Sequence, residues 1–236
     1  MHRDRSEPFM IVLTVDTSGK HGSVALARAE ASTDTNDVNL IESAPLAGGT
    51  FSAQLVPQIA ALLAKHGLNK TDIDAFVAVS GPGSFTGLRV GLAAIKALAE
   101  ILKKPIVPVS LLEVVAAGGA TPGKITAALD AGRGEVYSGE YSVAAGSAEL
   151  LREQLLAKRE FFSEARGSVV STPDKILAGL ARDHGLSVLE VDPPDAQAIA
   201  RVGWRKFRAN ETVSPEQLEA NYIRRTGAEI FAKANS

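Results

Sequence analysis

The sequence predicts an α/β protein of two subdomains, each a mixed sheet flanked by helices, and three observations predict it. Runs rich in Val, Ile and Leu alternate with helical patterns in the order strand-strand-strand-helix-strand-helix-strand. The pattern then restarts, since Leu13-Thr-Val-Asp16-Thr-Ser18 and Ala127-Ala-Leu-Asp130-Ala-Gly132 are both a strand, a terminal Asp and small residues before a hairpin. Between the two stretches, Gly118-Gly119 and Thr121-Pro122-Gly123 break the pattern and place a boundary near residues 110–122.

The first strand is expected at Met10 to Val15, entering a turn at Asp16-Thr17-Ser18-Gly19. Gly22 precedes a second strand, Ser23 to Ala27, and a polar loop from Glu30 to Asp37 leads to a third near Asn39 to Ser43. A helix follows from Ser52 to His66 and stops at Gly67. Pro57 inside it implies a kink or a later start. The strand Ala75 to Val79 leads into a glycine-rich loop, then a helix from Gly87 to Leu102 and a strand from Ile106 to Val109. This order puts an antiparallel meander at one side of a sheet and parallel crossovers at the other, as in ribonuclease H-like folds. Strands at Lys124 to Leu129, Glu135 to Val143, Ser168 to Ser171 and Ser187 to Val191 follow, with helices at Pro173 to His184 and Ala196 to Phe207. The expected division is a disordered extension 1–9, a subdomain 10–112 rejoined by the segment 214–236, and a second subdomain 113–213.

Composition bounds the chemistry. The 236 residues are 45% hydrophobic and 22% charged, which is ordinary for a globular chain with a sizeable core. A net charge of −2 speaks against gripping nucleic acid through the overall field. With no cysteine, thiolate nucleophiles, disulfides and Cys-ligated zinc are excluded. The four histidines, His2, His21, His66 and His184, include no pair at the spacing of a helix-borne His-x-x-x-His metal site. No apolar run reaches the roughly 20 residues of a membrane span. Met1 to Pro8 is polar and lacks the apolar stretch of a secretory signal, so the cytoplasm is the expected location, with Met10 an alternative start.

Asp16 and Asp130 at their strand ends read in two ways: as paired carboxylates holding hydrated Mg²⁺ near phosphates, or as Asx acceptors closing their own turns. Thr17 and Ser18 offer hydroxyls to either arrangement. The loop from Ser80 to Gly91 spaces Gly81, Gly83 and Gly87 as G-x-G-x-x-x-G, which is neither the dinucleotide fingerprint nor a Walker A loop. It is either an anion cradle at a helix N-terminus or a tight strand-to-helix turn.

The helices of this half carry two apolar stripes each, where covering a sheet needs one. Leu55, Ile59 and Leu62 form one line and Val56, Ala60 and Leu63 the next; in the second helix Leu88, Leu92, Ile95 and Ala99 form one, and Val90, Ala94, Ala97 and Ile101 the other. A second stripe packs against the rest of the chain or against a partner. The expected partner surface is Leu55, Ile59, Leu62, Leu88, Leu92, Ile95 and Ala99. Each buried Leu or Ile contributes roughly 1.5–3 kcal/mol, enough for a few to anchor an interface of about 800 Å² per side. The basic residues Arg201, Arg205, Lys206, Arg208, Arg224 and Arg225, with Trp204 among them, form either a solvated helix face or an RNA-phosphate contact.

Three segments together resemble the TsaB (YeaZ) family: Val15-Asp-Thr-Ser18 with Ser23-Val-Ala-Leu26, the unbroken string Val79 to Gly91, and Leu129-Asp-Ala-Gly-Arg-Gly-Glu-Val-Tyr137. Asn221-Tyr-Ile-Arg224 is similar to the family's C-terminal Pro-x-Tyr-Leu-Arg segment, with Ala220-Asn221 in place of Pro-x. The resemblance implies two subdomains of the actin-like ATPase (ASKHA) kind. It also implies a non-catalytic dimerisation and scaffold subunit for making N6-threonylcarbamoyladenosine in tRNA. Its implied partners are a catalytic TsaD-like paralogue, which carries the His-x-x-x-His metal site on the helix matching Ser52 to His66, a TsaE-like ATPase, and a second copy of itself. tRNA is reached through the complex. No cofactor of its own is implied, with ATP or ADP and Mg²⁺ at a shared interface, where Asp16, Ser18, Gly81, Gly83 and Asp130 are the candidate contacts. The rival readings are a small-molecule kinase or ATPase built around Asp16 and Asp130, and a metallopeptidase-like protein, which the histidine spacing opposes.

Overall fold

A computed structural model describes residues 9–30, 38–119 and 121–223. Residues 1–8, the connection 31–37, and Arg224 and Arg225 lie outside the described residues. The chain divides into two units, Met1–Val114 with Pro194–Ala220, and Val115–Pro193 with Asn221–Ser236.

The first unit is built on strands β1 (Phe9–Asp16), β2 (His21–Glu30), β3 (Val38–Ala47), β4 (Ile73–Gly81) and β5 (Ile106–Ser110) in the order β3-β2-β1-β4-β5. β1–β2 and β2–β3 are antiparallel, while β1–β4 and β4–β5 are parallel. The meander and crossovers expected from the element order are therefore present. Helices α1 (Phe51–Lys65) and α2 (Phe85–Leu102) supply the crossovers. α1 begins at Phe51 and runs through Pro57, so of the two expectations, a kink or a later start, the later start is corrected.

Residues of alternate parity along β4 face opposite ways, which fixes the layers. Phe76 and Ala78 join a core with Leu13, Val15, Leu26, Leu55, Leu92 and Ile95 beneath α1 and α2. Val77 faces helix α6 (Ala196–Arg208) on the other side, where a Cβ added to Gly203 would lie 2.5 Å from Val77 Cγ2. The sequence places this helix in the second subdomain; its packing assigns it to the first. Its apolar side, Ile199, Ala200, Gly203 and Trp204, needs a sheet face, and the first sheet has one uncovered by α1 and α2.

Helix α3 (Leu111–Gly118) occupies the stretch expected as a break. Ser110 Oγ accepts from Leu112 N at 3.2 Å and starts it directly from β5.

The second unit repeats the first sheet's topology. β6 (Gly123–Gly132), β7 (Glu135–Ala144), β8 (Ser147–Ala157), β9 (Val169–Thr172) and β10 (Ser187–Glu190) run in the order β10-β9-β6-β7-β8. β6–β7 and β7–β8 are antiparallel, and β6–β9 and β9–β10 are parallel. Helices α4 (Lys158–Glu164) and α5 (Lys175–Asp183) pack with Phe161, Phe162, Leu177 and Val170 in its core. β8 and α4 have no counterpart among the expected elements. Ala145 (φ 49°) and Gly146 (φ 74°) form a two-residue loop between paired Ala144 and Ser147, and positive φ at both loop positions is the type I′ hairpin signature.

Candidate functional site

Asp16 ends β1, and its Oδ1 accepts from Ser18 N at 2.8 Å and Ser18 Oγ at 2.6 Å. Burial pushes the Asp16 carboxyl above its ordinary range, and the two Ser18 bonds partly offset that. The carboxylate is thus the acceptor of its own turn.

The glycine loop folds onto this turn. Ser84 N donates to Ser18 O at 2.6 Å. Cβ atoms added at Gly83, Gly87 and Gly91 would stand 2.4 Å from Ser18 O, 2.1 Å from Thr17 O and 2.2 Å from Thr17 Oγ1. Any side chain at these positions would collide with the β1–β2 turn, so the glycines permit backbone contact. Gly81 adopts φ 139°, open to glycine alone without strain. At the start of α2, Ser84 caps, accepting from Gly87 N through its Oγ at 3.3 Å and from Leu88 N through its carbonyl at 2.9 Å. The spacing is that of a tight turn which fixes where α2 begins.

Asp130 lies in the second unit, within β6 and one pair before the bulge next to Gly132. It is 38% exposed at the side chain, and its Oδ1 meets Lys158 Nζ at 3.1 Å. The two aspartates therefore sit in separate units, each with its own partner.

The seven residues expected on a partner surface are instead core. Leu55, Ile59, Leu62, Leu88, Leu92, Ile95 and Ala99 are each at most 6% exposed and pack on the first sheet or its neighbouring helix. The other stripes face outward. Val56 is 52% exposed and Ile101 69%, and Ala60 and Ala97 are exposed with them, while Val90 and Ala94 are half-buried. Leu63 is the exception in its stripe and is buried. Side-chain size carries the signal: the sheet-facing stripes are mostly Leu and Ile, and the outward ones mostly Ala and Val. At the N-terminal ends of both helices a cavity of about 760 Å³ is lined by Lys20, His21, Phe51, Ser52, Thr86 and Val90 among others, so Val90 joins it to the outer stripe.

Trp204 is 1% exposed and belongs to the core, not to an aromatic surface. Lys206 pairs with Glu113 at 3.2 Å and Glu211 at 3.4 Å. Burial pushes the Glu113 carboxyl up, and Lys206 beside it works in the opposite direction. Among the described residues no three His, Asp or Glu gather as metal ligands, and no helix is long and apolar enough to cross a membrane. His66 Nε2 meets Glu42 Oε2 at 2.9 Å, and His184 stacks on Phe162 with ring centroids 4.1 Å apart.

Residues 45–171, more than half of the chain, match the family described as TsaD, tRNA N6-adenosine threonylcarbamoyltransferase. The chain belongs to this family. Within it, the chain resembles proteins named TsaB. It is 29% identical to the Escherichia coli tRNA threonylcarbamoyladenosine biosynthesis protein TsaB, over 91% of this chain and 95% of that one. The Bacillus subtilis protein of the same name is 35% identical over 59% of this chain and 58% of its own length. The structure described as YeaZ from Pseudomonas aeruginosa superposes with a TM-score of 0.67 at 23% identity, covering 90% of this chain and 99% of that one, and shares the fold.

Proposed function

We propose that the chain is a non-catalytic, partner-binding subunit of the cytoplasmic machinery that makes N6-threonylcarbamoyladenosine in tRNA. Its catalytic partner on this reading is a TsaD-like paralogue, joined by a TsaE-like ATPase. The observation that carries the proposal is the outward apolar face of α1 and α2, with Val56 and Ile101 more than half exposed. Water disfavours such a face unless a protein covers it. The turn at Asp16 and the glycines of the following loop hold the two helices in place, so the signature string of the sequence serves the docking surface. The same face would also pair two copies of the chain when the paralogue is absent.

The sequence adds support, because its four histidines include no pair at metal-ligand helical spacing. Transfer chemistry is accordingly assigned to the paralogue. The proposal gives this chain no cofactor of its own and leaves ATP or ADP with Mg²⁺ to the assembled complex. Depleting the chain in its native host and measuring tRNA nucleosides by mass spectrometry tests the function: threonylcarbamoyladenosine should fall, and an unchanged level would sink the proposal. Calorimetry of the isolated chain with Mg-ATP separates it from a kinase of the same fold, which would bind tightly.

A further inference from the structure

On the sheet face opposite α1 and α2, helix α6 presents a stripe of arginines. Its buried positions are Ala196, Ile199, Ala200, Val202, Gly203 and Trp204, and Gly203 meets Val77 of the first sheet. Arg201, Arg205 and Arg208 follow one another at four and three residues, which places them on the opposite side of the helix. They span roughly 10 Å of axis. Arg201 and Arg208 are exposed and Arg205 is half-buried.

The composition of α6 makes the stripe unusual for a solvated face. Residues 196–208 contain no Asp or Glu, so every charge that the helix itself carries is positive. Like charges at these spacings repel. Burial, and then Arg201 alongside it, hold the Arg205 guanidinium below its usual value, while Glu113 works in the opposite direction. The helix dipole favours cations in the last turn and accounts for Arg205, Lys206 and Arg208. It does not account for Arg201, two turns from the end. Lys206 points elsewhere, to Glu113 and Glu211. The chain as a whole carries −2, so the stripe is a local field and not part of a general excess.

We propose that this stripe binds the phosphate backbone of RNA, which for a tRNA-modifying assembly is the tRNA itself. Guanidinium forks at this spacing suit successive phosphates, and phosphate contacts position a nucleic acid without reading its sequence. Because α6 and the α1–α2 face lie on opposite sides of one sheet, RNA and a protein partner would not compete. The inference rests on the proposed function, and its failure is separately visible: the nucleoside assay in depleted cells judges the function, and binding curves judge the stripe.

The test is fluorescence anisotropy of the full chain with a labelled tRNA transcript across a salt series. The double reversal R201E/R208E should weaken binding at least tenfold. It should also lower the slope of log affinity against log salt by about 2, near one unit for each phosphate no longer neutralised. K175E/R182E makes the same charge change on α5 and should leave both quantities as they are. R201A/R208A should weaken binding less than the reversal, with the fold checked by circular dichroism for every variant. Equal weakening by the α5 and α6 variants would assign the effect to overall charge and overturn the proposal. So would tRNA binding unaltered in R201E/R208E, or no binding by the wild-type chain. Retained tRNA binding together with impaired binding to the TsaD-like paralogue would assign the stripe to an acidic protein surface instead.

Discussion

The two units share one sheet topology yet treat equivalent turns differently. In the first, the strand-terminal Asp16 is buried, bonded twice by Ser18 and overlaid by a glycine loop whose backbone touches the turn. In the second, Asp130 is partly exposed and meets Lys158, and its turn glycines Gly132 and Gly134 have nothing within 4 Å of an added Cβ. The first arrangement launches an 18-residue helix beside a 15-residue one, whereas the second carries helices of 7 and 9 residues. One blueprint thus yields an outward-facing two-helix platform in one copy and short cover helices in the other. The difference lies in how tightly the β4–α2 connection of the first unit is clamped.

Substituting the glycines tests that clamp with the largest expected effect. G87V drives a side chain into Thr17 O and should cost at least about 3 kcal/mol in urea unfolding, or prevent folding. G134A in the second unit meets open space at φ 78° and should cost only about 1–2 kcal/mol. Similar losses at the two sites would break the comparison.

Next in size is the contrast between stripes of one helix. L88A removes a side chain that is 1% exposed and should lower stability by about 2–5 kcal/mol. I101A, at 69% exposed, should change it by no more than about 0.5 kcal/mol.

The aspartates give the smallest effect and a pH signature. Because burial raises the Asp16 carboxyl in the folded state, the native protein binds that proton more tightly than the unfolded chain. Stability therefore falls as pH rises from the ordinary Asp range through the raised value. Asn at this position keeps an acceptor for Ser18 and carries no charge, so D16N should flatten that fall and stabilise the protein at neutral pH. D130N removes only a partly exposed pair and should shift stability by no more than about 1 kcal/mol. Thermal unfolding at several pH values measures both.

Much of the fold is legible in the sequence. Strand-terminal Asp16 and Asp130, followed by hairpins, announce the repeat, and the topologies of the two sheets agree with it. Other features are hidden for physical reasons. β8, Ser147–Ala157, is composed mostly of Ala, Glu, Leu, Arg and Gln, residues that favour helix, and its strand state is imposed by the Ala145-Gly146 hairpin and pairing with β7. α6 reads as a helix from its periodicity, but which sheet it covers depends on residues far apart in sequence. Of the doubly apolar α1 and α2, periodicity locates both stripes and does not say which faces the sheet. The larger residues do, since burying Leu and Ile removes more apolar surface than burying Ala.

On the proposed function the outward stripe, and not the buried one, docks a partner. Mixing V56D/I101D with the TsaD-like paralogue of the same organism and measuring complex mass by size-exclusion chromatography with light scattering tests it most directly. V56D/I101D should stay folded, with unchanged circular dichroism, and no longer join the paralogue. A variant that assembles as the wild type does would contradict it.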